Sequence, residues 1–326
     1  MDKLITSFSS QIKEALEINE SIELNSFKNI DNILLCGLGG SGIGGRLASQ
    51  IASDNLSVPF VCTHDYSIPH YVNQNTLAII SSYSGNTEET LEAFEKCRAA
   101  NAQILCITSG GEIAKIAKEN NYDLILVPGG NPPRACVAYS VVSQLVSFSK
   151  IGLTDKDYRK LLKESIGFID NISEYAKSIA MEIATEVQST LPILYTSGAY
   201  ASIGVRTKQQ LNENSKMLCW ANEIPEMNHN ELVGWASGND NISALFFEPE
   251  DLHGRNKERF TLSKTIIRSK GAKIIEIPSK GFTKTERFMY YIHLGDWLSY
   301  FLAVKNNVDP FEIEVIDHLK GKLAEL

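Results

Sequence analysis

The chain has 326 residues, with 31 Lys and Arg against 39 Asp and Glu, a formal net charge of −8. At about 100–200 residues per domain, this length predicts two domains, and 43% apolar with 21% charged residues is a globular composition. The acidic balance gives no electrostatic reason to hold a polyphosphate backbone, so no nucleic acid partner is expected, while a small anion stays open.

Polar residues appear too early in Met1-Asp2-Lys3-Leu4 for a signal peptide. The longest weakly polar run, Ala135–Ser149, is too short to span a bilayer and contains Ser143 and Gln144. The chain therefore reads as soluble and cytoplasmic, without a membrane partner. Cys36, Cys62, Cys97, Cys106, Cys136 and Cys219 form no C-x-x-C pair and read as buried thiols. His253, His293 and His318 have no metal-ligand spacing, so no metal is expected.

In chain order, a helical start over 2–18 leads to an apolar strand, Asn32–Cys36, that stops at glycines. A helix follows over Gly42–Ala52, then strands at Val58–Thr63 and Thr76–Ser81 and a helix over Thr87–Ala100. Strands Gln103–Thr108 and Asp123–Val127 flank a short helix, Ile113–Glu119. Pro132 and Pro133 introduce a long helix, Ala135–Ser149. Apolar runs without alternation, each followed by a helix, mark a parallel sheet covered on both faces. Gly152 is placed to stop a helix and Thr154 to cap the next, which divides the chain into domains 1–152 and 153–326.

Beyond that point, strands are predicted at Ile193–Thr196, Lys216–Cys219, Ile242–Phe247 and Lys273–Ile277. Helices are predicted near 155–188, 201–214, 255–270, 284–305 and 310–325. In the helix 284–305, Phe288, Ile292, Gly295, Leu298 and Leu302 share one face. Glu248–Glu250 and Arg255–Arg259 read as solvated helix faces. A weak repeat relates Ile33 onward to Ile193 onward, pairing Ile43/Ile203, Gly44/Gly204 and Arg46/Arg206. Gln103–Gly110 resembles Lys273–Lys280 in the same way. Two tandem α/β domains, each a parallel sheet flanked by helices in a flavodoxin-like three-layer sandwich, account for both.

Two loops carry the chemistry. Gly37-Leu38-Gly39-Gly40-Ser41-Gly42 follows a strand and opens a helix, where glycines let backbone N–H groups approach an anion. Formally Gly37, Gly39 and Gly42 fit a dinucleotide fingerprint, with Asp65 available as a ribose acid. Ser81–Thr90 then places Ser82, Ser84 and Thr87 after the third strand. A simple helix cap accounts for Thr87, but not for three hydroxyls within six positions at a strand's C-terminal end. A phosphomonoester uses such a second loop; a dinucleotide does not.

S-Y-S-G-N-T-E-E-T after a strand, with G-L-G-G-S-G upstream, resembles the sugar isomerase (SIS) domain. P-P-R-A at 132–135, N-E-N-S-K at 212–216, P-E-M-N-H-N-E at 225–231 and I-D-H-L-K at 316–320 narrow the likeness. From about Asn32 to Leu323 the chain resembles the bifunctional phosphoglucose/phosphomannose isomerase family. That resemblance implies interconversion of glucose 6-phosphate, and of mannose 6-phosphate, with fructose 6-phosphate through a cis-enediol. It implies that Gly40, Ser41, Ser82, Ser84 and Thr87 bind the phosphate. Glu213 would then be the proton-carrying base, His229 and Lys320 the ring-opening groups, and Arg134 the enediolate stabiliser. No cofactor is implied, and a homodimer is, with His229 supplied across its interface. Some relatives carry Thr where this chain has Ile313, which makes the mannose epimer the less secure substrate. Competing readings are a non-catalytic sugar-phosphate sensor, a dehydrogenase resting on the glycines alone, and an isomerase of another phosphosugar such as an aminosugar phosphate.

Overall fold

The computed structural model describes residues 1–25, 27–237 and 240–325. It divides into two compact units: Thr6–Asn171 with Gly281–Phe288, and Met1–Ile5 with Ile172–Lys280 and Met289–Leu326.

The first unit is built from α2 (Phe8–Glu20), β1 (Asn32–Cys36), α3 (Gly39–Ala52), β2 (Phe60–Thr63), β3 (Thr76–Ser81), α4 (Glu88–Ala99), β4 (Gln103–Thr108), α5 (Gly111–Glu119), β5 (Asp123–Leu126) and α6 (Val137–Ile151), α1 being the short helix Asp2–Thr6. Its five strands are all parallel, in the order β2-β1-β3-β4-β5. That is the flavodoxin-like order, with its switch point beside β1, where ligands bind outside the strands' carboxyl ends. Strand β3 is buried along its full length, as its unbroken apolar run T-L-A-I-I-S requires of a central strand. Leu34, Ala78, Ile80 and Ile104 pack on one face against Phe94 and Cys97 of α4. Pro59, which has no N–H to give, stands just before β2, so this strand starts two residues later than expected. Gly152 ends α6 in the left-handed conformation at φ 81°, the helix stop read from the sequence.

The second unit holds β6 (Leu191–Ser197), α8 (Ala201–Ser215), β7 (Trp220–Ile224), α9 (Glu231–Gly234), β8 (Ile242–Phe247), α10 (Gly254–Ser269), β9 (Lys273–Ile277) and α12 (Glu314–Leu323). Two long helices, α7 (Tyr158–Val187) and α11 (Lys284–Lys305), contain the division between the units. The four strands are parallel in the order β7-β6-β8-β9. The repeat is now explained: β1 and β6 are each second in their sheet, and β4 and β9 are each fourth. Consecutive Met289, Tyr290, Tyr291 and Ile292 are all buried. Helix α11 is thus buried on more than the single face its apolar spacing marked.

Two expectations are corrected. Lys216–Cys219 is not a strand: Lys216 caps α8 in the left-handed conformation (φ 54°), Leu218 is 82% exposed, and β7 starts at Trp220. Its sequence W-A-N-E-I hides it, because an edge strand that is only half buried needs no apolar run. Glu248–Glu250 lies not on a helix but in the loop after β8, where Glu248 pairs with Lys264 of α10 at 2.8 Å. No described helix is long and apolar enough to cross a membrane. Cys36, Cys97, Cys106 and Cys136 are buried, whereas Cys62 and Cys219 are half-buried; burial pushes the Cys62 thiol up to about 11 and those of Cys106 and Cys219 up to about 12.

Candidate active site

In the first unit, the sheet's carboxyl edge is closed by the two loops read from the sequence. A Cβ on Gly37 would stand 2.7 Å from the Ser81 carbonyl, so only glycine lets the loop after β1 pass this close to the end of β3. Ser41, in the first turn of α3, accepts the Tyr83 backbone N–H at 3.0 Å and so joins the two loops. Ser82 accepts from the Gly85 N–H at 3.2 Å, and Ser84 from the Asn86 N–H at 3.3 Å. The Ser82 and Thr87 hydroxyls share a bond of 2.8 Å.

Each serine oxygen therefore accepts a backbone N–H. The hydroxyl protons of Ser41 and Ser84, and one of the Ser82–Thr87 pair, can be donated elsewhere. Thr87 occupies the N-cap of α4, yet its side chain makes no capping bond; the hydroxyl turns to Ser82 instead. Leu38 likewise caps α3 without a side-chain bond. Two helix N-termini thus present backbone N–H groups and hydroxyls at one edge, which is the chemistry that holds a phosphate.

Arg134 sits in a single 3-10 turn, Pro133–Ala135, held by the prolines before it. It is 4% exposed, not a surface arginine at a helix start. A Cβ on Gly40 would lie 3.0 Å from the Pro133 carbonyl and 3.4 Å from the Arg134 nitrogen, so this backbone packs directly on the glycine loop. Gly40, Ser41, Ser82, Ser84, Thr87 and the Arg134 backbone are thereby gathered at one edge.

Tyr83 is the residue that sequence reasoning missed. Its hydroxyl accepts the Asn131 N–H at 3.4 Å and lies 3.7 Å from the Cys136 Sγ, on both sides of Arg134. Its carbonyl accepts the Ser109 hydroxyl at 2.6 Å, and burial pushes its phenol up to about 12. A cavity of about 20 Å³, room for one water, lies between Ser41, Tyr83, Pro133 and Tyr139. Only the tyrosine's place between two serines pointed to it.

In the second unit, Glu213 lies in the last turn of α8 and is half-buried. It lines a cavity of about 350 Å³ with Lys216, Leu218, Glu312, Ile313 and Ile316. Ile313 precedes α12, and the exposed Lys320 follows two turns later, about 10 Å along the axis. His229 is elsewhere. It closes a 3-10 turn, Glu226–His229, after β7 and is exposed. In a parallel sheet, α8 runs back to the edge where strands start, whereas the turn after β7 lies where strands end. Glu213 and His229 therefore stand at opposite edges of one sheet, about 15 Å apart along the five-residue strand β7. Among the described residues, no three His, Cys, Asp or Glu side chains cluster as metal ligands do.

Comparison with known proteins matches both halves of the chain. Residues 26–151 match the SIS domain, and residues 173–323 match the bacterial phospho-glucose isomerase C-terminal SIS domain. The fold is that of a double-SIS protein. A bifunctional phosphoglucose/phosphomannose isomerase of Caldicellulosiruptor bescii is 36% identical over 100% of this chain and 99% of its own, and one of Aquifex aeolicus is 35% identical over 90% of each. The chain belongs to the bifunctional phosphoglucose/phosphomannose isomerase family. A D-glucosamine-6-phosphate 4-epimerase of Sulfolobus acidocaldarius is 27% identical over 96% of both chains. Among solved structures, the C-terminal domain of glucosamine-fructose-6-phosphate aminotransferase from Francisella tularensis superposes with a TM-score of 0.74 at 17% identity, covering 94% of this chain and 96% of that one.

Proposed function

We propose that the chain is an aldose–ketose isomerase that interconverts glucose 6-phosphate with fructose 6-phosphate through a cis-enediol, and that it also accepts mannose 6-phosphate. The full-length similarity to curated isomerases carries this reading. The domain over 1–152 holds the substrate phosphate through Gly40, Ser41, Ser82, Ser84 and Thr87. The domain over 153–326 supplies the proton chemistry.

His229 and Lys320 open the ring, one giving a proton to the ring oxygen as the other takes one from the anomeric hydroxyl. Glu213 then removes the proton at C2 of the open-chain aldose to form the cis-enediol and returns it to C1, while the O2 hydroxyl proton passes to O1, giving the ketose. Negative charge builds on the enediolate oxygens during transfer, and the Arg134 guanidinium offsets it. Since this cation is a side chain, the scheme calls on no metal or cofactor.

The opposite-edge placement of Glu213 and His229 supports a homodimer in which His229 serves the partner's site. A pair of groups held about 15 Å apart cannot flank one hexose ring from a single copy. Such an enzyme belongs to the cytoplasm and to the hexose-phosphate steps of glycolysis and gluconeogenesis. With Ile313 in place of a hydroxyl residue, turnover of mannose 6-phosphate is expected to be the slower.

The test is steady-state kinetics with glucose, mannose and fructose 6-phosphates, set beside D-glucosamine 6-phosphate. Turnover of the first three supports the reading. Epimerisation at C4 of the amino sugar with no C1–C2 isomerisation would replace it with the activity named for the Sulfolobus relative. Phosphosugar binding without any turnover would leave a sensor.

A further inference from the structure

The cavity beside Glu213 has a second charged group whose bonds are unusual for a residue at a helix end. Lys216 is half-turned out of α8 in a left-handed conformation, φ 54°, which a non-glycine residue adopts at some cost in strain. Its ammonium donates to three backbone carbonyls: Glu213 at 2.8 Å, Asp309 at 2.8 Å and Glu312 at 2.7 Å. The Glu312 carboxylate stands 3.6 Å away. An ammonium has three protons and no acceptor, so these bonds use all of them. Lys216 therefore has none left for a substrate oxygen, although it lines the cavity.

The three bonds join the last turn of α8 to the segment that leads into α12. That helix contributes no fully buried residue, and Val315 and Leu319 are 79% and 59% exposed. Burial alone holds it weakly, and the lysine supplies a fixed attachment at its root.

We propose that Lys216 is a positioning residue: its ammonium pins the segment Asp309–Glu312 to the helix turn that carries Glu213, and so sets where Ile313 and Lys320 stand relative to that carboxylate. The role rests on the base assignment of Glu213 made above. Removing the ammonium leaves Glu213, Ile313 and Lys320 in place chemically but lets α12 swing, and a displacement of about 1 Å is enough for a loss near 100-fold in turnover.

The experiment compares Lys216→Met, Lys216→Gly and Lys216→Arg with the parent. Lys216→Gly relieves the left-handed strain while deleting the ammonium, so it stays folded even if Lys216→Met does not. Met and Gly are expected to lower kcat on fructose 6-phosphate about 10- to 100-fold with KM changed less than about threefold. Backbone amide exchange over 309–323 should speed up about tenfold or more in both, with the first unit unchanged. Lys216→Arg, which can still donate to carbonyls, should recover most of the kcat and the slow exchange. Unchanged exchange over 309–323, or a kcat within twofold of the parent in Lys216→Gly, would overturn the proposal. Glu213→Gln separates the two ideas: full activity there removes the base assignment, while the exchange result still decides whether the lysine pins α12.

Discussion

The two sheets are both parallel and share the order of their first four strands, and each joins the loop after its second-position strand to the loop after its third. They do so with opposite chemistry. In the first unit, the Tyr83 N–H meets the Ser41 hydroxyl, and glycines and hydroxyl residues predominate in both loops. In the second, the corresponding loops meet through the Tyr200 hydroxyl and the Asp251 carboxylate, at 2.9 and 3.0 Å, beside Glu248 and Glu250. One edge offers hydroxyl donors to an anion; at the other the tyrosine hydroxyl is already bonded to a carboxylate. A shared topology fixes where loops lie, and the loop residues alone decide whether that edge can hold a phosphate.

The comparison can be pressed where the units differ most. Glu213, at the strand-start edge of the second unit, is proposed to carry the proton. Replacing it by Gln should lower kcat about 10³-fold while the affinity for a non-reacting phosphosugar stays within twofold. Loss of proton exchange at C2, followed by NMR in deuterium oxide, checks this; unchanged exchange would refute the role.

The next effect falls on stability. Arg206 of α8, the repeat partner of Arg46, donates to Asp296 of α11 at 2.8 Å, and Gln210 donates to the same carboxylate at 2.6 Å. Burial raises the Asp296 pKa, and Arg206 first, then Gln210, draws it back down. Asp296→Ala strands a buried guanidinium and should cost about 3–5 kcal/mol. Urea unfolding measures it, with phosphosugar affinity of the folded fraction kept as in the parent.

Ser82→Ala probes the first unit alone. Losing one hydroxyl bond to a charged group costs about 1.5–3 kcal/mol, so KM should rise roughly 10- to 100-fold with kcat much less affected. A KM within twofold of the parent would separate Ser82 from the phosphate.

The smallest effect is a pH dependence confined to the second unit. His293 Nε2 accepts from the Trp297 indole N–H at 3.2 Å and bonds the Ser173 hydroxyl at 2.9 Å, while the Lys177 ammonium lies 4.9 Å from the Trp297 ring centre. Burial lowers the His293 pKa from 6.5 to about 4. The unfolded chain therefore binds a proton that the folded chain refuses between these values. Its contribution is complete above about pH 6.5 and is lost as pH falls toward 4, roughly 1.4 kcal/mol by pH 5.5. His293→Gln should flatten that part of the stability–pH curve.

Much of this was legible in the residues. Thr76–Ser81, Gln103–Thr108, Ile242–Phe247 and Lys273–Ile277 have the bounds their apolar runs mark. The glycine and hydroxyl loops fall at the carboxyl edge that a βα reading gives them. Strand β7 escaped because edge strands need no continuous apolar run. Tyr83 escaped because its role lies in bonds to Ser41, Ser109 and Asn131, residues remote in sequence. Lys216 looked like strand because nothing local announces a left-handed lysine whose ammonium bonds carbonyls 93 and 96 residues away.

The length and the alternation of apolar runs with helical spacing marked a two-domain α/β chain, and the loop residues marked where an anion is proposed to bind, since hydrophobic period and loop chemistry are short-range properties of the sequence. Only the tertiary structure decided that Thr87 turns from its helix to Ser82, that Arg134 is buried with its backbone packed on Gly40, and that Glu213 and His229 occupy opposite edges of one sheet. Those facts depend on which strands pair and in which direction, and strand pairing is set by packing between segments far apart in the chain.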